Sequence, residues 1–574
     1  MTDIPGYETF TKIEPIDKGL SSDKKYYIET IDGQRLLLRV TDVKEFDRKK
    51  AEYGMMERVY ALGVLTPRPF GFGLCDGGRS VYSLSGWIDG VDAESALPRM
   101  SEAEQYSFGY KAGKLFRNIH ALPAPEGAEP WGARFRRKVQ RRMELYSEHR
   151  LESQNGGRIL RYLHDKQDFL DSRPQMYWHG DMNIGNHIIT PEGGIAAIDF
   201  NYWNLDYGDP WWEFVMIPWG KEPPAHYFTG MINGYFDNDP PTAFFEALSY
   251  YYACDALSAL CYTFLDEPCA PEDGRRHMEN VLRWFDDMRN PVPTWYLKDL
   301  YVQWADGVPY KLKAPFDFSF LSKYGKVFKV FDGQDSGNIC FGVADGGKRY
   351  FVKFAGAPTA RACVSAEEAA ANLKRAVPTY RDLAHPNLIN LINAEEIGGG
   401  FVMVFDWVDG ACQHPMYPLS RKKFLRASME TRIKIFEDIL AFHAHAMSKG
   451  YVAIDFYDGS ILYDFGNART MICDIDFYAK KPYINQMGRL WGSSRFMSPE
   501  EFTLGAEIDE ITNVYGMGAT AFALFSGGGR ALEKWPLHEK QYGVVKRAVS
   551  DDRDHRQQSI PQLIAQWRAA AAAQ

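Results

Sequence analysis

Short apolar runs broken by polar turns open the chain. Ile13 to Pro15, Tyr26 to Thr30 and Leu36 to Val40 are separated by Gly19-Leu20-Ser21-Ser22-Asp23 and by Asp32-Gly33. That is the pattern of a β-meander. From Phe46 to Leu62 the pattern lengthens to a helix, and Val81 to Trp87 reads as a strand again. Helical periodicity covers Ser101 to His120 and Ala133 to Leu151. Ile188-Ile189 and Ile195 to Ile198 then flank Gly193-Gly194 at hairpin spacing. Trp211 to about Asp287 is helical and dense in aromatic residues, most of which core packing explains. Pro291, Pro293, Pro309 and Pro315 mark 288–320 as a junction.

Beyond the junction the same order returns. Phe341 to Val343 and Arg349 to Phe354 frame Gly346-Gly347 as a hairpin, and Phe401 to Trp407 is strand-like. Trp407-Val408-Asp409-Gly410 echoes Trp87-Ile88-Asp89-Gly90, and Lys353 stands in its apolar strand where Arg39 stands in Leu36-Leu37-Leu38-Arg39-Val40. The chain therefore reads as a divergent internal duplication of one α+β architecture, with domains 1–295 and 296–574.

Composition narrows the class. The 574 residues include 45% hydrophobic and 14% aromatic side chains, enough for more than one core. A net charge of −9 argues against a general nucleic-acid binder. The eight cysteines form no C-x-x-C pair, so neither a zinc site nor a disulfide framework is expected. Met1-Thr2-Asp3-Ile4-Pro5 lacks a basic region and an apolar core, so no signal peptide is expected. The apolar stretch around Tyr250 to Leu265 is interrupted by Asp255 and falls short of a membrane span. A cytoplasmic protein with no membrane partner is the expectation.

The chemistry concentrates in Trp178-His179-Gly180-Asp181-Met182-Asn183-Ile184-Gly185-Asn186, followed across the hairpin by Asp199. Phosphoryl transfer from a nucleotide needs a carboxylate base that takes the acceptor's hydroxyl proton, and oxygen ligands that hold Mg²⁺ against the phosphates. Asp181 suits the first task, and Asn186 and Asp199 the second. These residues resemble the aminoglycoside phosphotransferase (choline kinase-like) family, whose loop reads close to H-G-D-x-x-x-x-N. The match extends to Gly208-Asp209-Pro210 and departs at Asn183, where many members have His. The resemblance implies a bilobed kinase-like fold using ATP (or GTP) and Mg²⁺. It further implies Arg39 on the phosphates, Glu52 as its ion-pair partner, the turn at 19–23 over the phosphates, and a hinge at Trp87 to Gly90. Acids such as Glu213, Asp237, Asp239, Asp255, Asp266 and Glu267 are available to hold a polycationic acceptor.

The second half is similar to eukaryotic-type serine/threonine protein kinases. His385-Pro386-Asn387, the approach Gly450-Tyr451-Val452-Ala453-Ile454-Asp455, Asp476-Phe477-Tyr478, Ser498-Pro499-Glu500 and Thr512 to Gly518 carry that resemblance. It implies Asp455 as base, Lys353 on phosphates, and Ser460 and Asp476 as metal ligands. Ser460 replaces an Asn, the loop from Phe331 to Cys340 lacks regular glycine spacing, and no helix Glu stands at the right distance to pair with Lys353. The expected function is an ATP- and Mg²⁺-dependent O-phosphotransferase acting on a hydroxylated small molecule through the first domain. The second domain is expected to be regulatory or weakly active. Protein kinase activity on a protein substrate in the second domain, or a non-enzymatic nucleotide-sensing scaffold, are the alternatives.

Overall fold

The computed structural model describes residues 1–17, 23–148, 154–200, 207–215, 217, 219–261 and 271–572. The chain divides into two compact units, Met1–Val302 and Gln303–Gln574. Helices and antiparallel sheets occur in both.

The first unit opens with strands β1 (Phe10–Ile16), β2 (Lys24–Thr30) and β3 (Arg35–Asp42), helix α1 (Phe46–Ala61), and strands β4 (Pro69–Cys75) and β5 (Ser80–Gly86). The sheet order is β1-β2-β3-β5-β4. Period-two alternation buries Leu36, Leu38 and Val40 of β3 against Ile28 and Leu84. Arg39 is thereby forced onto the opposite face, which lies outside this core. Of the turn expected to cover phosphates, Gly19 to Ser22 lie outside the described residues.

Below the sheet in sequence come α2 (Glu102–Ile119), α3 (Trp131–Glu148), strands β6 (His187–Ile189) and β7 (Ile195–Ala197), α4 (Ala225–Tyr235), α5 (Thr242–Cys261) and α6 (Pro271–Trp284). A reciprocal Ser101–Glu104 capping box starts α2. Helices α2 and α4 touch backbone to backbone through two Gly-x-x-x-Gly pairs, Gly109/Gly113 and Gly230/Gly234. A Cβ on Gly113 would lie 2.0 Å from the Met231 carbonyl oxygen, and one on Gly234 2.0 Å from that of Tyr110. This close crossing brings Phe116 of α2 and Tyr227 of α4 over the loop before β6. The Phe116 ring centroid is 5.9 Å from that of His179 and 5.0 Å from that of His187. The Tyr227 hydroxyl and His187 Nδ1 share a hydrogen bond of 2.6 Å.

The second unit repeats the sheet. Strands β8 (Lys326–Phe331), β9 (Asn338–Asp345), β10 (Lys348–Ala355), β11 (Leu391–Ile397) and β12 (Gly400–Asp406) lie in the order β8-β9-β10-β12-β11. Helix α7 (Ala366–Asp382) enters between β10 and β11, as α1 enters between β3 and β4. The hairpin of β13 (Ile461–Asp464) and β14 (Arg469–Ile472) corresponds to β6 and β7. The two W-x-D-G segments behave alike. Arg35 at the start of β3 donates to Asp89 at 2.6 Å, and Arg349 near the start of β10 donates to Asp409 at 2.9 Å. The proline-spaced stretch read as a junction carries strands at Tyr301–Ala305 and Val308–Leu312 that its composition concealed. No described helix is long and apolar enough to cross a membrane.

Candidate active site

In the first unit the loop from Trp178 to Asn186 is held from behind by Glu213. This buried carboxylate accepts the backbone N–H of His179 at 2.9 Å and of Gly180 at 2.6 Å, and lies 2.8 Å from His120 Nε2. Glu213 is thus a support of the loop, although its sequence context had offered it as an acceptor-binding acid. Asp237, another such acid, is paired on the surface with Arg117, while Asp266 and Glu267 lie outside the described residues. Gly180 turns the chain at φ 86°, a left-handed conformation that glycine adopts without strain. His179 Nε2 meets the Ile198 carbonyl at 2.9 Å, which ties the loop to the far end of the hairpin.

The three residues expected to carry the chemistry converge on that end. Asn186 donates its side-chain amide to the Asp181 carbonyl at 3.0 Å. The Ile198 N–H donates to the Asn186 carbonyl at 3.0 Å, so Asn186 stands across the hairpin from the residue before Asp199. Burial, the largest influence, together with the charge of Asp199, pushes the Asp181 carboxyl above the ordinary carboxylate range; His179, the Asn183 N–H and Asn186 oppose the shift. For Asp199 burial acts in the same direction but loses to Arg39, Lys25 and His179, which hold its carboxyl below the usual range. Asp199 adopts φ 66°, off the end of its strand. The Asn186 amide oxygen and the Asp199 carboxylate make a hard-oxygen set that suits Mg²⁺.

Arg39 donates to Asp199 Oδ1 at 2.5 Å and lies 3.8 Å from Asp23. The expected Arg39–Glu52 ion pair is not formed. Glu52 instead accepts from Lys49, one turn earlier in α1, at 2.8 Å, and from Arg48 at 3.1 Å. Lys49 also donates to the buried Asp23 at 2.7 Å. Sequence reasoning missed Lys49 and Asp23 because a cation within a mainly polar helix carries no burial signal of its own. Asp23 immediately precedes β2 and so links the start of that strand to α1 through Lys49 and to β3 through Arg39.

A cavity of about 310 Å³ opens on Asp181. Its lining includes Gly180, Met182, Asn183, Trp178, Trp212, Trp219, Lys138, Asp255 and Ser258, all from the first unit. Lys138 lies over the Trp212 ring, 4.3 Å from its centroid. Asp255 Oδ2 accepts from Trp219 Nε1 at 3.1 Å and lies 2.9 Å from His277 Nε2. Asp255 is one of the acids that the sequence offered for the acceptor; Lys138 was not singled out, because its helical stretch, 131–148, gives a cation no signal of its own.

In the second unit the hairpin register corrects one assignment. The Cys473 N–H donates to the Ser460 carbonyl at 2.9 Å, as Ile198 donates to Asn186. Asp474, not Asp476, therefore follows in the place of Asp199, and its φ of 58° matches. Asp476 is turned inward. Its side chain is 6% exposed and accepts from Lys353 at 2.6 Å and from Tyr380 of α7 at 2.9 Å. Lys353 also donates to Asp474 at 2.7 Å. Ser460 is fully buried, and its hydroxyl has no hydrogen-bond partner.

The loop that carries Asp455 is also one residue shorter than its counterpart. Tyr451–Val452 leads to Asp455 as Met176–Tyr177 leads to Gly180, and Asp455 itself adopts the left-handed φ of 60°. Counted back from the hairpin, Asp455 takes the place of Asp181; counted forward from the strand, that of Gly180. Burial, reinforced by Asp474 and Asp335, pushes its carboxyl up to about 8.

The phosphotransferase enzyme family (APH) matches residues 12–245, a stretch that holds β2 to β7 together with Arg39, Glu52, Asp181, Asn186 and Asp199. This supports a kinase-type phosphotransferase activity for that stretch. No curated protein matches the chain. Among solved structures, the PK-1 kinase of the Cydia pomonella granulovirus is similar to it at 16% identity. That match covers 42% of this chain and 92% of the viral one with a TM-score of 0.34, a likeness too low to carry an argument.

Proposed function

We propose that the first unit transfers the terminal phosphoryl group of ATP, or GTP, to a hydroxyl of a small molecule. The observation that carries this reading is the convergence of Asp181, Asn186 and Asp199 at one hairpin end beside a cavity that opens on Asp181. The acceptor hydroxyl oxygen bonds to the γ-phosphorus as the bond to the β–γ bridging oxygen breaks, and the hydroxyl proton passes to Asp181. Its raised affinity for a proton fits a base. Mg²⁺ held by Asn186 and Asp199 would supply charge neutralisation at the phosphates. Arg39 of β3 would leave Asp199 for a phosphate, and Lys49 keeps Asp23 and Glu52 neutralised meanwhile.

The second unit is read as a regulatory or weakly active nucleotide-binding domain. Lys353, Asp474 and Asp476 form a compact charged centre that supports nucleotide binding, while the shortened loop at Asp455 argues against full turnover. The test is labelled-ATP turnover by the full chain against hydroxylated metabolites and generic protein substrates, repeated with Asp181→Asn and Asp455→Asn. Transfer to a small molecule lost only in Asp181→Asn is the expected result. Phosphorylation of a protein lost only in Asp455→Asn would transfer the activity to the second unit.

A further inference from the structure

Two features of the cavity at Asp181 bear on what the acceptor is, and the inference rests on the phosphotransferase reading above. The first is Lys138. It projects from α3 into the cavity lining, and no carboxylate among the described residues pairs with it; its contacts are the rings of Trp212 and Phe135. An aromatic face stabilises an ammonium only weakly, well short of what the ammonium loses on leaving water. Burial accordingly pulls the Lys138 ammonium below its usual range, with Cys254 and Asp255 opposing. An anion arriving in the cavity would satisfy it.

The second feature is Asp255 on α5. Both of its side-chain hydrogen bonds among the described residues, from Trp219 and with His277, fall on Oδ2. Its side chain remains 16% exposed and lines the same cavity. The other oxygen is therefore left to accept from a ligand, and it is oriented by a tryptophan and a buried histidine. A cation beside an acid, not paired with each other, is a receptor for a molecule carrying both charges. A polycation fits poorly, because its amines would have to crowd against Lys138. About 310 Å³ is at the lower limit for ligand pockets and holds a metabolite of amino-acid size.

We propose that the acceptor of the first unit is a small hydroxylated zwitterion of the hydroxy-amino-acid class, its carboxylate on Lys138 and its ammonium on Asp255, with the hydroxyl presented to Asp181.

The full-length protein is assayed with labelled ATP and Mg²⁺ against four sets of probes. These are hydroxy-amino acids of three to five carbons, amino alcohols without a carboxylate, hydroxy acids without an amine, and an aminoglycoside. Zwitterions are expected to be the preferred acceptors. Lys138→Gln and Asp255→Asn are each expected to raise KM for the zwitterion roughly 10- to 150-fold, the range for one hydrogen bond to a charged group, with a smaller change in kcat. Calorimetric titration of the zwitterion without nucleotide should show the same losses. Transfer that depends on Asp181 but prefers an amino alcohol, a hydroxy acid or the aminoglycoside overturns this inference and leaves the phosphotransferase reading intact. So does a KM for the zwitterion unmoved by Lys138→Gln. Zwitterion binding that is lost in both variants, with no phosphoryl transfer to any acceptor, supports the site and overturns the reading of its activity. No binding and no transfer overturns both.

Discussion

Replacing Asp476 by Ala tests whether this residue supports the second unit or holds a metal. The perturbation removes a carboxylate that is 6% exposed and bonded to Lys353 at 2.6 Å and Tyr380 at 2.9 Å. Lys353 is 9% exposed. Burial works against its charge, but Asp474 and Asp476 together outweigh burial and keep it firmly protonated. Removing one partner of a buried ion pair destabilises by about 3–5 kcal/mol. Retention of Asp474 on Lys353 places the expected loss toward the lower end of that range. Asp474→Ala removes a carboxylate that is 37% exposed and also repels Asp455 and Asp476. Its expected cost is that of a solvent-screened pair, about 0–1 kcal/mol. With roughly 2–4 °C per kcal/mol for a unit of this size, Asp476→Ala should lower its melting point by about 6 °C or more and Asp474→Ala by under about 4 °C. Because the full chain has two compact units, a single transition cannot be assumed. Hydrogen exchange of peptides from β10 and α7, followed through urea titration, isolates the second unit. An Asp474→Ala loss equal to or greater than that of Asp476→Ala would refute the assignment of the buried role to Asp476.

Three further predictions address the site and its supports. Asp181→Asn should lower kcat by roughly 10²- to 10⁴-fold with nucleotide affinity little changed. In the wild type, activity should fall as pH drops through a value above the ordinary carboxylate range, since the raised carboxyl must be unprotonated to act; a pH–rate profile reads this. Gly113→Ala places a methyl group 2.0 Å from the Met231 oxygen. The forced separation of α2 and α4 should cost about 1–3 kcal/mol in chemical denaturation, and an unchanged midpoint would refute the backbone contact. Asp455 has its carboxyl raised to about 8, so its contribution to stability is fully present below the ordinary value near 3.8 and is lost as pH rises through about 8. Asp455→Asn, which tolerates the same left-handed backbone, should therefore stabilise the second unit at pH 9 and leave it unchanged at pH 4, as measured by exchange of its peptides.

Much of both sheets was legible because strand burial is written in alternation. Leu36, Leu38 and Val40 announce one face of β3, and the turns at Asp32-Gly33 and Gly193-Gly194 carry the chemistry that hairpins need. The contact of α2 with α4 was not legible. Read singly, Gly109, Gly113, Gly230 and Gly234 weaken a helix by about 1 kcal/mol each. Their value lies in a partner more than one hundred residues away, which no local window contains. The strand at Val308–Leu312 was hidden for the opposite reason: Pro309 reads as a breaker, yet a strand tolerates proline where its N–H is not needed.

The convergence of Asp181, Asn186 and Asp199 in the first unit was legible because loop, hairpin and Asp199 follow one another with no ambiguity in the count. The second unit contains two acids two positions apart, Asp474 and Asp476, and matching to an Asp-Phe pair chose the wrong one for the hairpin's end. The signal was present in the apolar run. Thr470 to Cys473 ends one residue before Asp474, as Ile195 to Ile198 ends one residue before Asp199. Ladder hydrogen bonds fix that count, whereas a side-chain motif does not. The correction also changes what the second unit lacks. The missing helix acid left Lys353 without a sequence partner, but Asp476, reaching in from beyond the hairpin, supplies the carboxylate, and Tyr380 of α7 supplies the hydrogen bond that ties the helix to it. A lysine that had lost its partner would be an unpaired charge at 9% exposure, a cost of several kcal/mol with nothing to offset it. Here the carboxylate comes from beyond the hairpin and not from the helix, so the charged centre of the second unit is rearranged and not dismantled.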